Sequence, residues 1–477
     1  MYIAIAIIVI LVLLISVIFA RALSLKPDAA ASAKLPEVDE ERSLAYGKKL
    51  GALIRCETIS HRNQEDMSKF YDYHKVLFDQ FPNVFSHCEF HDFNGSFLLK
   101  WKGRTVGEPI MMISHQDVVE ANGKWEHDPF CGEIVDGAVW GRGTVDTKSS
   151  GFCFLQAAEE LIAEGFQPEV DVYLGGSCTE EWSGGGAPAT AAWLKDNGVK
   201  LGMLLDEGGM IMDNPIGGVH GMYAMIGVME KGYGDVKFSA KGKGGHASTP
   251  GKKTPWTRLA AFIHHIENHN PFTVEFNPTV KEMFKRMAPN MGFGMKLIFA
   301  NLWLFAPLLK KMMLSISPTG AAMLQTTLAF TMGKGSDGYN VLPQEAYVTG
   351  NMRFIPHQPT DESIELIKRI AKKYDIETEI IIAEHPCPAV SYECPQFALL
   401  EETLHEVYPG VAVTPYIMTG GTDARYYSEV CDNCLRFAPL YINKQQFEGI
   451  HGLNENISTR VLPLGVDFFK TLIKKAR

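Results

Sequence analysis

Residues 110–117 read Ile-Met-Met-Ile-Ser-His-Gln-Asp, a short apolar run that ends in a polar cluster. A continuous apolar run of this length is typical of a strand that is buried on both faces. His115 and Asp117 are two residues apart, so on an extended chain their side chains lie on the same face. The stretch therefore predicts a buried strand that carries a histidine and a carboxylate to its carboxyl end.

Strands and helices alternate in the sequence that follows. Residues 149–165 carry apolar side chains at helical spacing, and Gly165 then stops the pattern. Residues 170–174 and 203–205 are again short apolar runs of the kind expected for buried strands. This alternation favours an α/β fold.

The pattern changes near residue 231. Strands are predicted at 236–240, 326–331, 346–354 and 377–382, and helices at 254–269 and 361–374. We interpret residues 231–385 as a smaller α+β domain inserted into the first one. The larger domain would then comprise residues 43–230 and 386–477, with its sheet resuming near residue 414.

The composition is that of an ordinary globular protein, with 46% hydrophobic and 21% charged residues among 477. The chain carries 45 Lys and Arg against 55 Asp and Glu, a formal net charge of −10. That balance argues against nucleic acid as a partner, because a nucleic-acid-binding protein needs a basic face. Nine cysteines are too few for a disulfide scaffold of this length.

Residues 2–20 form an apolar stretch whose only polar side chains are the hydroxyls of Tyr2 and Ser16. The length nearly matches the ~20 residues of a membrane-spanning helix. A cleaved signal has basic residues before a shorter apolar run, whereas here Arg21 and Lys26 come after it. Residues 1–22 are interpreted as a single-pass transmembrane anchor or, alternatively, as a signal whose cleavage leaves a secreted or periplasmic protein. Residues 23–42 are interpreted as a linker.

Histidines and carboxylates recur where predicted strands end, which is where α/β sheets place their ligands. The positions are His115, Asp117, Asp146, Glu180, Glu181, Asp206, Glu207 and His451. A mixed set of imidazole and carboxylate ligands suits zinc best, with manganese and cobalt as alternatives. Each motif alone is weak evidence, but the combination predicts a metal centre in which two ions share a carboxylate.

The stretches that carry these residues also resemble a known family, the di-zinc aminoacylase/carboxypeptidase metallopeptidases. Within it they are most similar to the branch of carboxypeptidase S and the N-fatty-acyl-amino-acid synthase/hydrolases. The stretches are SHQDVV, WEHDPFCGEIVDGAVWGRGTVDTK, CTEEWSGGGA, LLDEGG, GKGGHASTP, NVLP, GGTDAR and IHGLNE. The resemblance implies a three-layer αβα catalytic domain with an inserted ferredoxin-like domain that acts as a lid and dimerisation surface.

The resemblance also implies roles for individual residues. Two zinc ions would be held by His115, Asp146, Glu181, Glu207 and His451, with Asp146 as the bridge. Glu207 is chosen over Asp206, because Asp206 points to the other side of an extended strand. The catalytic residues would be Asp117, Glu180 as general base, and His246, which stabilises the oxyanion and in relatives often reaches a dimer partner's site. Substrate binding would fall to Asn340, Arg353, Gly421, Thr422 and Arg425.

The activity expected from these residues is hydrolysis of the amide bond in N-acyl amino acids with a free carboxylate, a reaction that can also run in reverse. A carboxypeptidase acting on short peptides is the alternative, followed by an aminopeptidase and by an inactive relative that serves as a binding or scaffold protein. Residues 291–315 are strongly apolar and are assigned to the smaller domain. The apolar part is too short to span a membrane. The segment is therefore interpreted as core packing, as a lid over a fatty-acyl chain or as an interfacial patch.

Overall fold

A computed structural model describes residues 1–477, with the exception of the Ile316 side chain. The helices are α1 Tyr2–Ser24, α2 Glu40–Ile54, α3 Ser68–Gln80, α4 Pro82–His87, α5 Lys148–Ala163, α6 Gly186–Asp196, α7 Pro255–Asn268, α8 Pro278–Met287, α9 Phe293–Ala300, α10 Leu302–Ile316, α11 Pro318–Leu324, α12 Thr360–Lys373, α13 Pro395–Val407, α14 Lys444–Gly449 and α15 Val461–Lys475. The strands are β1 Glu89–Phe93, β2 Ser96–Trp101, β3 Ile110–His115, β4 Ile134–Val135, β5 Ala138–Trp140, β6 Val172–Ser177, β7 Met203–Asp206, β8 Ile211–Asp213, β9 Met222–Glu230, β10 Gly232–Lys241, β11 Gly245–His246, β12 Thr327–Lys334, β13 Val341–Leu342, β14 Glu345–Phe354, β15 Glu377–Ala383, β16 Ala412–Met418, β17 Cys434–Arg436, β18 Tyr441–Ile442 and β19 Asn456–Ser458.

The larger domain is built on a mixed sheet with the order β1-β2-β6-β3-β7-β17-β9-β8-β18, to which β16 adds beside β9. Strands β3, β6 and β7 are parallel, and β3 lies between the other two. Side chains of β3 alternate between two cores, because Ile110 and Met112 pack with α5 and α15 while Met111 and Ile113 pack with α6. Helices therefore cover both faces of this sheet, and the predicted α/β class is confirmed.

The smaller unit has an antiparallel four-stranded sheet with the order β12-β14-β10-β15. Along the chain its elements run β10, α7, β12, β14, α12, β15, which is the βαββαβ sequence of a ferredoxin-like fold. Its core is separate from that of the larger domain, and Phe238 and Phe262 lie at its centre. The burial of β14 alternates residue by residue, as expected for a sheet with helices on one face only.

The apolar helices between α7 and β12 do not belong to the core of that smaller unit. Phe284 of α8 stacks on Phe299 of α9 with ring centroids 4.2 Å apart, and both side chains belong to the core of the larger domain. Helix α8 also packs on β16. Residues 291–315 were predicted to belong to the smaller domain, whereas these contacts show that they pack with the larger one. Apolar character predicts that a helix is buried, but it does not identify the core that the helix joins.

Helix α1 is 23 residues long, and one 18-residue window has a mean hydropathy of 3.5. It is the described helix that is long and apolar enough to cross a membrane. Most of its side chains are exposed, and the exceptions, Ile18 and Ala22, lie near its end. Helix α2 begins at Glu40, inside the predicted linker 23–42, and its first turn is capped by the Asp39 carboxylate, which accepts from the backbone N–H of Arg42.

Candidate metal centre

The predicted ligands lie close together, and three of them are at the carboxyl ends of strands of the central sheet. His115 is the last residue of β3, and Glu207 follows β7 directly. Glu181 lies in the 3₁₀ turn Glu180–Trp182 that comes just after β6. Asp146 precedes α5, and His451 follows α14 in a left-handed backbone conformation with φ of 54°. Such a backbone in a residue other than glycine is a strain found most often at functional sites.

The first group of candidate ligands consists of His115, Asp146 and Glu207. The Nε2 atom of His115 lies 3.0 Å from Oδ1 of Asp146 and 3.4 Å from Oε1 of Glu207. The other ring nitrogen, Nδ1, lies 2.8 Å from the backbone carbonyl of Asp117. That contact fixes the ring so that Nε2 faces the two carboxylates, which is the usual second hydrogen bond of a metal-binding histidine.

The second group consists of Asp146, Glu181 and His451. The Nε2 atom of His451 lies 3.1 Å from Oδ2 of Asp146 and 3.1 Å from Oε2 of Glu181. Asp146 therefore turns one carboxylate oxygen to each group. This is the arrangement that a carboxylate bridging two cations requires.

Asp206 faces away from both groups. Its carboxylate accepts hydrogen bonds from the backbone N–H groups of Glu207 at 2.8 Å and Ala424 at 2.7 Å. Because successive side chains of a strand point to opposite faces, only one of the two neighbouring acids can reach His115, and that one is Glu207.

Asp117 lies beneath His115, fully buried. Its carboxylate accepts from the hydroxyl of Ser60 at 2.6 Å and from the backbone N–H groups of Glu180 and Glu181 at 3.2 Å each. Burial raises the pKa of Asp117 to about 6. The two N–H bonds tie the turn that carries Glu180 and Glu181 to the strand that carries His115.

The electrostatics of the centre reflect a surplus of negative charge. Burial, together with the charge of Asp146, raises the pKa of Glu207 to about 8. Burial and the charges of Glu207 and Asp423 raise the pKa of Glu180 well above its usual range. Hydrogen bonds to Asp146 and Glu181 raise the pKa of His451 to about 10. Carboxylates crowded in this way take up protons unless cations offset their charge, so the donor set fits two divalent ions.

Glu455 is a buried carboxylate to which the sequence analysis assigned no role. It accepts from the backbone N–H groups of Gly143 at 3.0 Å, Val145 at 2.7 Å and Asp146 at 3.1 Å, and from the Arg142 guanidinium at 2.7 Å. These bonds hold the turn that presents Asp146. Glu455 closes the quoted IHGLNE stretch, so the motif contained it, but its partners lie about 300 positions away in the chain.

A second buried network supports the predicted substrate residues. Glu230, at the end of β9, accepts from the backbone N–H and the hydroxyl of Thr422 at 3.0 Å each. The same oxygen lies 3.1 Å from Nε of Arg436, which is also fully buried. The family resemblance indicated Thr422 but neither Glu230 nor Arg436, and no local sequence pattern connects these two residues with it.

Two guanidinium groups lie near Glu180. Burial and the positive charge of Arg425 lower the pKa of Arg353, which stacks 4.7 Å from the Tyr233 ring centroid. Arg425 donates to the hydroxyl of Ser183 at 2.8 Å, and its pKa is raised because the charges of Tyr426, Glu230 and Glu180 outweigh burial. A Cβ atom at Gly421 would come within 2.4 Å of the Arg425 guanidinium, so this position has little room for a side chain.

The remaining predicted site residues lie on the smaller unit. His246 is on β11 and pairs with Val341 of β13, and the backbone N–H of Ala247 donates to the carbonyl of Asn340 at 2.9 Å. Both His246 and Asn340 are exposed. Within the described residues, the ring of His246 bonds only to Ser248. The structure brings these two residues together but links neither of them to the carboxylate cluster by a hydrogen bond.

Comparisons with known proteins agree with this geometry. The model of peptidase family M20/M25/M40 matches residues 111–475. The N-fatty-acyl-amino acid synthase/hydrolase PM20D1 of Xenopus tropicalis is 32% identical over 479 residues, covering 98% of this chain and 93% of the relative. A probable carboxypeptidase S-like 2 of Dictyostelium discoideum is 31% identical over 446 residues, covering 90% and 85%.

Solved structures share the fold. An M20 family metallo-carboxypeptidase of Sulfolobus solfataricus superposes with a TM-score of 0.67 at 17% identity, covering 92% of this chain and 99% of that one. A dinuclear metal-binding M20 peptidase of Bacillus subtilis superposes with a TM-score of 0.55 at 14% identity, covering 91% and 98%. The chain belongs to peptidase family M20/M25/M40 and is a hydrolytic enzyme of that family.

Proposed function

We propose that the chain is a zinc-dependent amidohydrolase that cleaves the amide bond of N-acyl amino acids and binds their free carboxylate. One observation carries the proposal. Asp146 turns one oxygen to each group of candidate ligands, Glu180 adjoins Glu181, and the guanidinium groups of Arg353 and Arg425 are near enough to Glu180 to interact with its charge. The first two suit amide hydrolysis, and the guanidinium groups suit a substrate with a free carboxylate.

Two divalent cations would be held by the two groups of ligands. His115, Asp146 and Glu207 would hold one, and Asp146, Glu181 and His451 the other. When bound, zinc would polarise the substrate carbonyl and lower the pKa of a water molecule. The crowding of carboxylates described above supports this occupancy.

Glu180 is the group that moves protons. Its carboxylate accepts a proton from the attacking water and returns it to the nitrogen of the leaving amine. A general base works best when its pKa lies near the working pH, and burial and neighbouring carboxylates shift Glu180 in that direction. The backbone N–H of Glu180 is tied to Asp117 at 3.2 Å, which holds the turn in place.

Arg353 and Arg425 would hold the carboxylate of the amino-acid part, assisted by Asn340 and by the Gly421–Thr422 turn. A guanidinium group matches a carboxylate with two parallel hydrogen bonds. His246 would stabilise the oxyanion from the partner subunit of a homodimer that forms through the smaller domain. The exposure of His246 on β11 supports a role outside its own chain's cluster.

The acyl part is proposed to be long and apolar, and the reaction to be reversible, as the name of the Xenopus relative indicates for that protein. A metallocarboxypeptidase acting on short peptides is the second candidate, which the Dictyostelium relative favours. We also propose that α1 anchors the chain in a membrane.

A hydrolysis panel tests the proposal and separates the two candidates. The full-length protein is assayed on N-oleoyl-phenylalanine, N-acetyl-phenylalanine and a dipeptide, each with and without a metal chelator. We expect chelator-sensitive hydrolysis with the highest kcat/KM on the oleoyl substrate. Preference for the dipeptide would support the carboxypeptidase, and activity that survives complete metal removal would refute both candidates.

A further inference from the structure

The end of α1 is joined to the bend between α9 and α10. The Arg21 guanidinium donates to the carbonyl of Ala300 at 2.9 Å, and the Asn301 amide donates to the carbonyl of Ile18 at 3.0 Å. The rings of Phe19 and Phe293 lie 6.0 Å apart. Two chain segments about 280 positions apart thus form one structural unit, whose relative position is fixed by hydrogen bonds to backbone atoms.

The outer surface of that unit is apolar. Helices α9 and α10 meet at a bend of 114°, and the pair is apolar enough to enter a membrane together. Phe293, Trp303 and Leu308 are 48%, 58% and 65% exposed on it. Exposed apolar side chains of this size in one patch mark a surface that contacts another apolar phase.

The charges around the patch point to a lipid surface. Residues 1–27 and 291–324 contain no Asp or Glu, although the whole chain carries a net charge of −10. The charged side chains in these two segments are all basic: Arg21, Lys26, Lys296, Lys310 and Lys311. Lysine and arginine beside an apolar surface match the anionic headgroups of a bilayer.

An apolar cavity of about 430 Å³ lies beneath the patch. Its walls include Phe284, Met295, Phe299, Met313 and Met323, and no described residue that lines it is charged. The volume falls in the ~300–1,000 Å³ range of small-molecule sites. An apolar cavity is a poor site for water, and methionine side chains adapt to flexible apolar ligands.

We propose that residues 291–324 and the end of α1 form one membrane-seated unit, whose cavity receives a single acyl chain of a bilayer lipid. Thr319, an exposed residue among those that line the cavity, lies where a chain would enter. The apolar walls accept the methylene chain and leave the headgroup outside, beside the lysines. The bend of α9 and α10 lies against the end of α1, so the patch faces the same membrane that α1 enters.

Photo-crosslinking tests the proposal without relying on turnover. The full-length protein is placed in nanodiscs of phosphatidylcholine and phosphatidylglycerol that include a phospholipid with a diazirine near the end of one acyl chain. After irradiation, peptide mapping locates the adducts. We expect adducts on cavity residues such as Met295, Met313 and Met323, and a several-fold loss of them in Thr319→Trp and in Met295→Trp. Ser315→Trp, an exposed change on α10 outside the cavity lining, is the matched control and should leave them unchanged.

The outcomes separate the source of the chain and the parts of the proposal. A second arm uses ordinary lipids and an N-acyl amino acid that carries the diazirine. Cavity adducts in that arm alone would overturn the lipid source, and adducts confined to α1 would overturn the seating of residues 291–324. Phospholipid adducts on Trp303 and Leu308 without any in the cavity would overturn the acyl-chain site. Because the readout is an adduct, none of these results depends on whether the centre hydrolyses N-acyl amino acids.

Discussion

The carboxylate–histidine centre and the paired strands β11 and β13 both carry predicted catalytic residues, but only at the centre are those residues bonded to one another. At the centre, the candidate ligands, the candidate base and the groups that position them are buried or half-buried except for His451, which is exposed, and they are bonded within one chain. On β11, His246 is exposed and bonds to Ser248. A single chain therefore brings together the groups proposed for metal binding and proton transfer, whereas His246 is not bonded to them.

The largest expected effect comes from changing Glu180 at the carboxylate–histidine centre. Glu180→Gln keeps the shape of the side chain but removes the proton acceptor, so turnover should fall by ~10²–10⁴-fold while metal content stays at the wild-type level. Steady-state kinetics and elemental analysis on the same samples check this. Glu393→Gln, an exposed change, is the control. Wild-type turnover in metal-loaded Glu180→Gln would remove the base assignment.

The next largest effect is expected from changing His246 on β11. His246→Ala should lower kcat by ~10²–10³-fold, as expected when one oxyanion donor is lost, while Lys243→Ala, an exposed change in the loop before β11, should not. If His246 acts on a partner's site, mixing His246→Ala with Glu180→Gln restores activity, because one site of each mixed dimer then has both groups. An unchanged rate on mixing would place the action of His246 within its own chain.

A smaller effect is expected from changing Glu455, which holds the turn that presents the Asp146 carboxylate. Glu455→Gln replaces one acceptor oxygen with an amide that faces the N–H groups of Gly143, Val145 and Asp146, so the turn should shift. We expect a ~10–100-fold weaker metal affinity, the usual cost of changing a group behind the ligands. Metal titration measures it, with the exposed Glu448→Gln as control. Equal affinities would show that the turn holds without Glu455.

The smallest effect concerns the stability of the metal-free protein. The pKa of Glu207 is raised from 4.5 to about 8, chiefly by burial, so the folded state holds a proton that the unfolded state releases. Because the proton is bound only in the folded state between these two pH values, the contribution of Glu207 to the free energy of unfolding is largest below pH 4.5. That contribution falls as the pH rises to about 8. In chelator, the melting temperature should fall across that window, and less so in Glu207→Gln. An equal dependence of melting temperature on pH in both proteins would contradict the raised pKa of Glu207.

Particular residues show how far the sequence alone was informative. The alternation of strand side chains predicts Glu207 rather than Asp206 as a ligand; in the structure, Oε1 of Glu207 lies 3.4 Å from Nε2 of His115, while the Asp206 carboxylate accepts from the backbone N–H of Glu207. Strand ends indicated the positions of His115, Glu181 and Glu207, whereas Asp146 and His451 lie beside helices. Glu455 and Glu230 were missed, because each acts on backbone atoms or side chains distant in sequence and belongs to no local pattern.

The sequence by itself determined local features of this protein: the buried strand at β3, the alternation of strands and helices that follows it, and the apolar character of residues 2–20. Those features depend on the periodicity of neighbouring side chains. Tertiary structure decided that the two oxygens of Asp146 lie between His115 and His451, and that α8 to α11 join the core of the larger domain. Such contacts depend on how segments distant in sequence pack together, and the spacing of residues along the chain does not specify that packing.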